Sequence, residues 1–167
     1  MLSFLKKFFS HKLIQGKYYN FKIVNRTTLP DKLDYYVLED PFGNRQMMPA
    51  YYYDDYGFQI GQVIRCRVDK INCTGRIFLE PLHPVYREGK IYFFDFVETK
   101  KIFNKDAGKE EDVLSLKDVF GKTAQVSLGN YFVSTGFTTD KIRCKLVRIK
   151  KGKLFLEICD KKISKIH

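Results

Sequence analysis

The chain has 167 residues, of which 44% are hydrophobic and 29% charged, so it has enough apolar side chains for a core and is not a disordered tail. Its aromatic residues are 15 Phe and 11 Tyr, which favour strands. A formal net charge of +11 favours a polyanionic partner, either nucleic acid or an anionic membrane surface.

Residues 1–15 are predicted to form a short N-terminal amphipathic helix. An apolar stripe recurs there at three- and four-residue steps, at Leu2, Leu5, Phe9 and Leu13. Gly16 is suited to end this helix. Lysines interrupt the apolar run, which argues against a signal peptide. We expect the helix to cap a barrel, with attachment to a membrane surface as the alternative.

Period-two alternation predicts five strands in residues 16–86. Their expected inward positions are Tyr19, Phe21, Ile23, Tyr36, Leu38, Ile64, Cys66, Val68, Ile77 and Leu79. On the fifth strand, Arg76, Phe78 and Glu80 are expected to face outward. Between the third and fourth strands lies an irregular connector, 51–58, whose tyrosines we expect to pack at the mouth of a barrel. Three strands, a connector and a closing hairpin are the order expected of an OB barrel.

Residues 89–160 repeat the first copy at offsets of 77 to 79 residues. The matching blocks are Ile64 to Cys66 with Ile142 to Cys144, Phe78 to Glu80 with Phe155 to Glu157, and Leu38 to Gly43 with Leu116 to Gly121. We therefore predict an all-β protein of two tandem five-stranded OB-fold barrels, 16–86 and 89–160. They are joined at Pro81 to Pro84 and followed by a mobile basic tail, 161–167.

Cysteine and histidine spacing predicts neither a metal site nor a cofactor. The four Cys form no C-x-x-C pair and have no His at ligand spacing. Cys66 and Cys144 alternate with apolar residues, so we expect reduced core thiols and a cytoplasmic protein. No catalytic or phosphate-binding motif occurs, and no apolar run is long enough to span a membrane. We expect no enzymatic activity.

Each copy ends in a basic strand, a turn and a short apolar strand that opens with a basic residue. The residues in this pattern are Gly61, Val63, Arg65, Arg67, Asp69, Arg76, Ile77 and Leu79, then Arg143, Lys145, Lys153, Leu154 and Leu156 in the second copy. The pattern resembles the end of the S-one type RNA-binding domain, the unit repeated in the largest small-subunit ribosomal protein. The family's usual Gly-x-Phe-Val segment and third-strand His are absent here. The resemblance implies an OB fold and an RNA ligand.

OB folds bind single strands through cations that follow the phosphates and rings that stack on the bases. The residues predicted to do so are Tyr35, Arg45, Arg65, Arg67, Arg76, Phe78, Arg143, Lys145, Lys150, Lys151, Lys153 and Phe155. We expect a non-catalytic protein that binds single-stranded RNA, with DNA as second choice. One alternative is a protein-interaction module on the same surfaces, in which Tyr51 to Phe58 and the exposed Phe78 and Phe155 contact a partner protein. The other is membrane attachment through the N-terminal helix.

Overall fold

A computed structural model describes residues 12–105, 107–128 and 140–159, together with the backbone of short strands at 131–133 and 163–165. The chain divides into two units, Met1–Leu82 and His83–His167. This division falls within the predicted join. Tyr86, which the sequence assigned to the first copy, packs in the core of the second unit.

The first unit is a single antiparallel sheet. Its strands are β1 (Tyr18–Thr28), β2 (Asp34–Glu39), β3 (Arg45–Pro49), β4 (Val63–Ile71) and β5 (Ile77–Pro81). They are ordered β3-β2-β1-β4-β5, and two 3₁₀ turns, Ala50–Tyr52 and Asp54–Tyr56, occupy the connector. The inward side chains of Phe21, Ile23, Leu38 and Val68 are fully buried, which confirms the alternation read from the sequence.

The second unit contains a sheet of the same order. Its strands are β6 (Ile91–Asn104), β7 (Lys109–Lys117), β8 (Thr123–Ser127), β9 (Tyr131–Val133), β10 (Lys141–Lys150), β11 (Lys153–Ile158) and β12 (Ile163–Lys165). The main sheet runs β11-β10-β6-β7-β8, and among the described residues β9 pairs with β12 in a separate two-stranded sheet. Part of the segment predicted as a mobile tail is therefore a strand, because its backbone has a partner in β9.

Equivalent backbone hydrogen bonds recur in the two units. The Gly16 N–H donates to the Val68 carbonyl at 2.8 Å, and the Gly89 N–H donates to the Leu146 carbonyl at 2.7 Å. Both glycines have positive φ, 82° and 81°, which a residue with a Cβ adopts only with strain. The same junction therefore opens the first strand of each sheet, as internal duplication requires.

The turn between the second and third strands is also repeated. In the first unit the Asp40 carboxylate accepts backbone N–H groups of Phe42 and Asn44, each at 2.9 Å. In the second unit Asp118 accepts those of Phe120 and Lys122, at 2.8 and 2.9 Å. The matched Asp-x-Phe-Gly segments of the sequence thus form the same side-chain-capped turn.

Both sheets are bent by β-bulges at equivalent places. Val24 and Val97 interrupt the first strands, and Asp69 and Val147 interrupt the strands that begin the closing hairpins. An extra residue in one strand kinks it and increases its twist. Over the described residues, β3 and β5 form no ladder with each other, and neither do β8 and β11, so the hydrogen-bonded sheets have open edges.

The structure differs from the sequence predictions at both ends of the first unit. Residues 1–11 of the predicted helix lie outside the described residues, and Lys12 to Gln15 are not helical. Leu13, predicted on the apolar stripe of that helix, packs in the core of the first unit. Glu80, predicted to face outward, is only 5% exposed.

The reason for the burial of Glu80 lies in the connector. Tyr53 is buried beside β5, and its hydroxyl donates to the Leu79 carbonyl at 3.4 Å. Burial, with the adjacent charge of Glu80, raises the pKa of Tyr53. The connector therefore covers this end of β5, which alternation along the strand alone does not predict.

Candidate nucleic-acid interface

The outward side chains of β1 and β4 combine rings with cations in the first unit. In the antiparallel register Tyr18 lies opposite Arg67, and Asn20 lies opposite Arg65. The Arg65 guanidinium lies over the Tyr18 ring, with Cζ 5.5 Å from the ring centroid. Both side chains are exposed, so this pair is open to a ligand.

A second ring and cation lie on the closing hairpin. The Arg76 Cζ is 5.3 Å from the centroid of Phe78, whose side chain is 38% exposed. The turn before them is held by Asn72, whose side-chain oxygen accepts the Arg76 N–H at 2.8 Å and the Thr74 N–H at 3.1 Å. The sequence therefore fixes the backbone from which Arg76 projects.

Two predicted contacts in the first unit, both arginines, are already paired with carboxylates. Arg67 is partly buried and bridges to Asp69 at 3.3 Å, so part of its charge is already neutralised. Arg45 lies on edge strand β3 and bridges to Glu39 at 2.8 Å. Neither arginine is therefore a freely available cation.

Tyr35 does not face solvent as predicted. It is 7% exposed, and its hydroxyl donates to Asp31 Oδ2 at 2.8 Å. This hydrogen bond, burial and the charge of Asp31 raise the pKa of Tyr35. Tyr36 is buried as well, so β2 is covered on both faces at this point and its alternation misleads. The Tyr35 ring is not a free stacking surface.

The second unit repeats the outward face and adds a ring that the sequence reasoning missed. Phe93 on β6 is 66% exposed and lies opposite Arg143 on β10. The next outward pair along these strands is Ile91 with Lys145. An alignment of the first strands on Gly16 and Gly89, rather than at the offset of the later blocks, would have predicted Phe93 as an outward ring.

The closing hairpin of the second unit carries the predicted lysines. Phe155 is 49% exposed and lies opposite Arg148, while Lys150 lies opposite Lys153. Lys151 and Gly152 form the two-residue turn, with φ of 51° and 68°, as in a type I′ turn.

The four basic residues nearest the turn of this hairpin are all exposed: Arg148, Lys150, Lys151 and Lys153. Two carboxylates lie near these cations. Asp95 bridges to Lys141 at 3.3 Å, and Glu157 lies opposite Lys145. The face keeps an excess of positive charge next to its rings.

The connector tyrosines of the first unit form a continuous aromatic cluster. Successive ring centroids are 4.1 Å apart for Tyr51 and Tyr52, 6.0 Å for Tyr52 and Tyr53, and 5.4 Å for Tyr53 and Tyr56. Tyr53 is buried, whereas Tyr51 is exposed. A hydrogen bond with Tyr52 raises the pKa of Tyr51 to about 12, so it is neutral at physiological pH.

Other kinds of site find no support in the described part of the chain. No group of three or more His, Cys, Asp or Glu side chains there could hold a metal ion. No helix there is long and apolar enough to cross a bilayer. Cys66 and Cys144 are buried free thiols, as predicted.

The outward faces thus offer stacking rings and cations, without a metal-ligand cluster among the described residues. No protein-family model, no curated protein and no solved structure matches the chain.

Proposed function

We propose that the chain binds single-stranded nucleic acid, with RNA the preferred ligand, on the outward faces of its two sheets. The observation that carries the proposal is the repetition of one motif: Arg76 with Phe78 in the first unit corresponds to Lys153 with Phe155 in the second. Phe78 and Phe155 are exposed at equivalent places in the two units and cations flank both, which is the combination that binds single-stranded nucleic acid.

A single strand fits these faces better than a duplex. In a duplex the flat faces of the bases are stacked on each other, so rings such as Phe93 and Phe155 cannot reach them. Unpaired bases can stack on these rings while the phosphates lie along Arg143, Lys145 and the hairpin lysines. The preference for RNA over DNA rests on the resemblance to the S-one type domain.

We also propose that each sheet curls into an OB-type barrel. The strand order β3-β2-β1-β4-β5 supports this, since β1 is shared between β2 and β4. The bulges at Val24 and Asp69 bend those strands, and Cα atoms of β3 and β5 approach within 8 Å. In OB folds the β1–β2 and β4–β5 loops contribute to binding, and the second of these loops carries Arg76 or Lys151 here.

Fluorescence anisotropy with labelled oligouridylate and oligo-dT, over a salt series, tests the binding. Affinity should fall by about 0.7 log units per phosphate contact for each log unit of salt. Phe78→Ala should lose the stacking of one base, about 1 to 3 kcal/mol, and Arg76→Ala should weaken binding and reduce the salt dependence.

Arg45→Ala is the matched control, because Arg45 is an exposed arginine already bridged to Glu39 on the edge strand β3. It should change affinity little. Absence of binding to either oligomer at low salt contradicts the proposal and favours a protein partner for the same surfaces.

A further inference from the structure

Three segments of the first unit meet at one end of its sheet. The first is the turn between β1 and β2, where Asp31 is exposed. Its Oδ2 accepts the Tyr35 hydroxyl at 2.8 Å, and its Oδ1 accepts the Leu33 N–H at 3.0 Å. Because one of these donors is a buried tyrosine, the carboxylate is held in a fixed orientation while part of it faces solvent.

The second segment is the first 3₁₀ turn. It approaches β2, with Cα atoms within 8 Å, and presents the exposed ring of Tyr51. Hydrogen bonding to Tyr52 is the main influence on the pKa of Tyr51, and the charges of Tyr35 and Asp31 also raise it. Pro49, two residues before Tyr51, lies opposite Tyr35 in the β2–β3 ladder, so the first 3₁₀ turn begins beside the tyrosine that holds the Asp31 carboxylate.

The third segment is the β4–β5 hairpin. Its strand β5 approaches β3, and its Arg76 lies over Phe78. The charge of Arg76 opposes the upward shift in the pKa of Tyr35, so the guanidinium also reaches this end of the sheet. Two exposed rings, one oriented carboxylate and one guanidinium are thus brought to the same end.

We propose that this end of the first unit is a base-selective subsite that takes an unpaired guanine, with Asp31 as the specificity-determining residue. The proposal rests on the proposed function. Guanine alone among the four bases presents two adjacent N–H donors, N1–H and the N2 amino group, on its Watson–Crick edge. A carboxylate with two oxygens matches that pair, whereas cytosine and adenine present one donor beside an acceptor, which a carboxylate repels. Tyr51 and Phe78 supply ring surfaces for stacking.

The test compares a short oligouridylate with the same oligomer carrying one central guanosine, adenosine or cytidine, by anisotropy with the full chain. The guanosine oligomer should bind about tenfold more tightly than all-uridine. Asp31→Asn should remove this preference while leaving the affinity for oligouridylate within about twofold. The asparagine still accepts from Tyr35, and an unchanged melting temperature checks the fold.

Glu39→Gln is the matched control, since it makes the same change in net charge at the far end of β2 and should keep the guanosine preference. A guanosine preference that survives in Asp31→Asn overturns the subsite. So does wild-type binding that is equal for all four oligomers, a result that leaves the proposed function intact. Failure to bind any oligomer instead overturns the proposed function itself.

Discussion

His83 is a buried titratable side chain at the start of the second unit. Its Nδ1 accepts backbone N–H groups of Val85 and Tyr86, both at 3.1 Å, and its ring packs on Phe120 with centroids 5.4 Å apart. Burial, with the charges of Arg87 and Lys122, lowers the pKa of His83 to about 4. The neutral ring acts as a cap for the chain entering the second sheet.

This cap predicts a pH dependence of stability. Between the ordinary pKa of 6.5 and the folded value of about 4, the unfolded chain binds the proton that the folded chain excludes. Stability is therefore fully present above pH 6.5 and falls as the pH decreases through that window, by about 3 kcal/mol in total. Urea unfolding of the second unit at several pH values measures this loss.

His83→Asn is the diagnostic variant, because it keeps a side-chain acceptor for the two N–H groups but does not titrate. It should flatten the pH response between 4 and 6.5. A wild-type protein that is equally stable at both ends of this window would contradict the assignment of a neutral, buried imidazole.

Single residues also mark the limit of sequence reasoning. Phe21 and Cys66 were predictable as core, because alternation suffices where one face of a strand is covered. Tyr35 and Glu80 were not, since Tyr35 is buried with its hydroxyl on Asp31 of the β1–β2 turn, and Glu80 is buried beside Tyr53 of the connector. The exposed ring of Phe93 was not predicted for another reason, because the first strands match at a different offset from the rest of the repeat.

At the scale of elements, the two closing hairpins have different turns. The first unit uses a longer turn capped by Asn72, whereas the second uses Lys151 and Gly152 with both φ positive. A lysine in the left-handed region is strained, because its Cβ crowds the following carbonyl. Gain of charge at the tip thus comes with a local loss of stability.

Lys151→Asn separates these two effects. Asn-Gly is the preferred sequence of a type I′ turn, so the second unit should become more stable by up to about 1 kcal/mol. Under the proposed function, affinity for oligouridylate should fall and the salt dependence should decrease by about 0.7. Thermal unfolding and anisotropy measure the two quantities. A variant that loses stability would contradict the turn assignment.

The sequence predicted the ends of strands correctly where it contains residues that favour turns, such as Asp, Asn, Pro and Gly. Asp40 to Asn44 and Asn72 to Gly75 were predicted as turns, and both form side-chain-capped turns. The open hydrogen-bonded edges of the sheets were not predicted, because the approach of β3 to β5 depends on long-range curvature rather than on local pattern. The identity of the ligand likewise could not be predicted, because the spacing of rings and cations along the sequence does not specify which molecule they bind.

At the scale of the whole molecule, each unit has a core of its own. Phe21 and its counterpart Phe94 lie in separate buried clusters. Phe21→Ala should cost about 3 to 5 kcal/mol in the first unit. Hydrogen exchange should then accelerate in β1 to β5 while β6, β7 and β10 stay protected. Phe94→Ala should give the reverse.

Lys22→Ala is the control for that experiment, since Lys22 is exposed beside Phe21 and its loss should change stability by less than about 0.5 kcal/mol. Equal acceleration in both units after Phe21→Ala would show that the two cores unfold as one cooperative body.

The duplicated strands create a hazard during synthesis and refolding. Ile64 to Cys66 and Ile142 to Cys144 are the same three residues, and each segment pairs with the first strand of its own unit. A nascent or denatured chain can therefore dock either segment on the wrong sister strand, giving a swapped, aggregation-prone form. Ile23 and Phe96 hold equivalent positions, opposite Leu38 and Leu116, but differ in size, so a segment docked on the wrong strand meets a core of different shape. Making these two positions identical should therefore slow folding and raise the fraction of chains with wrongly paired strands.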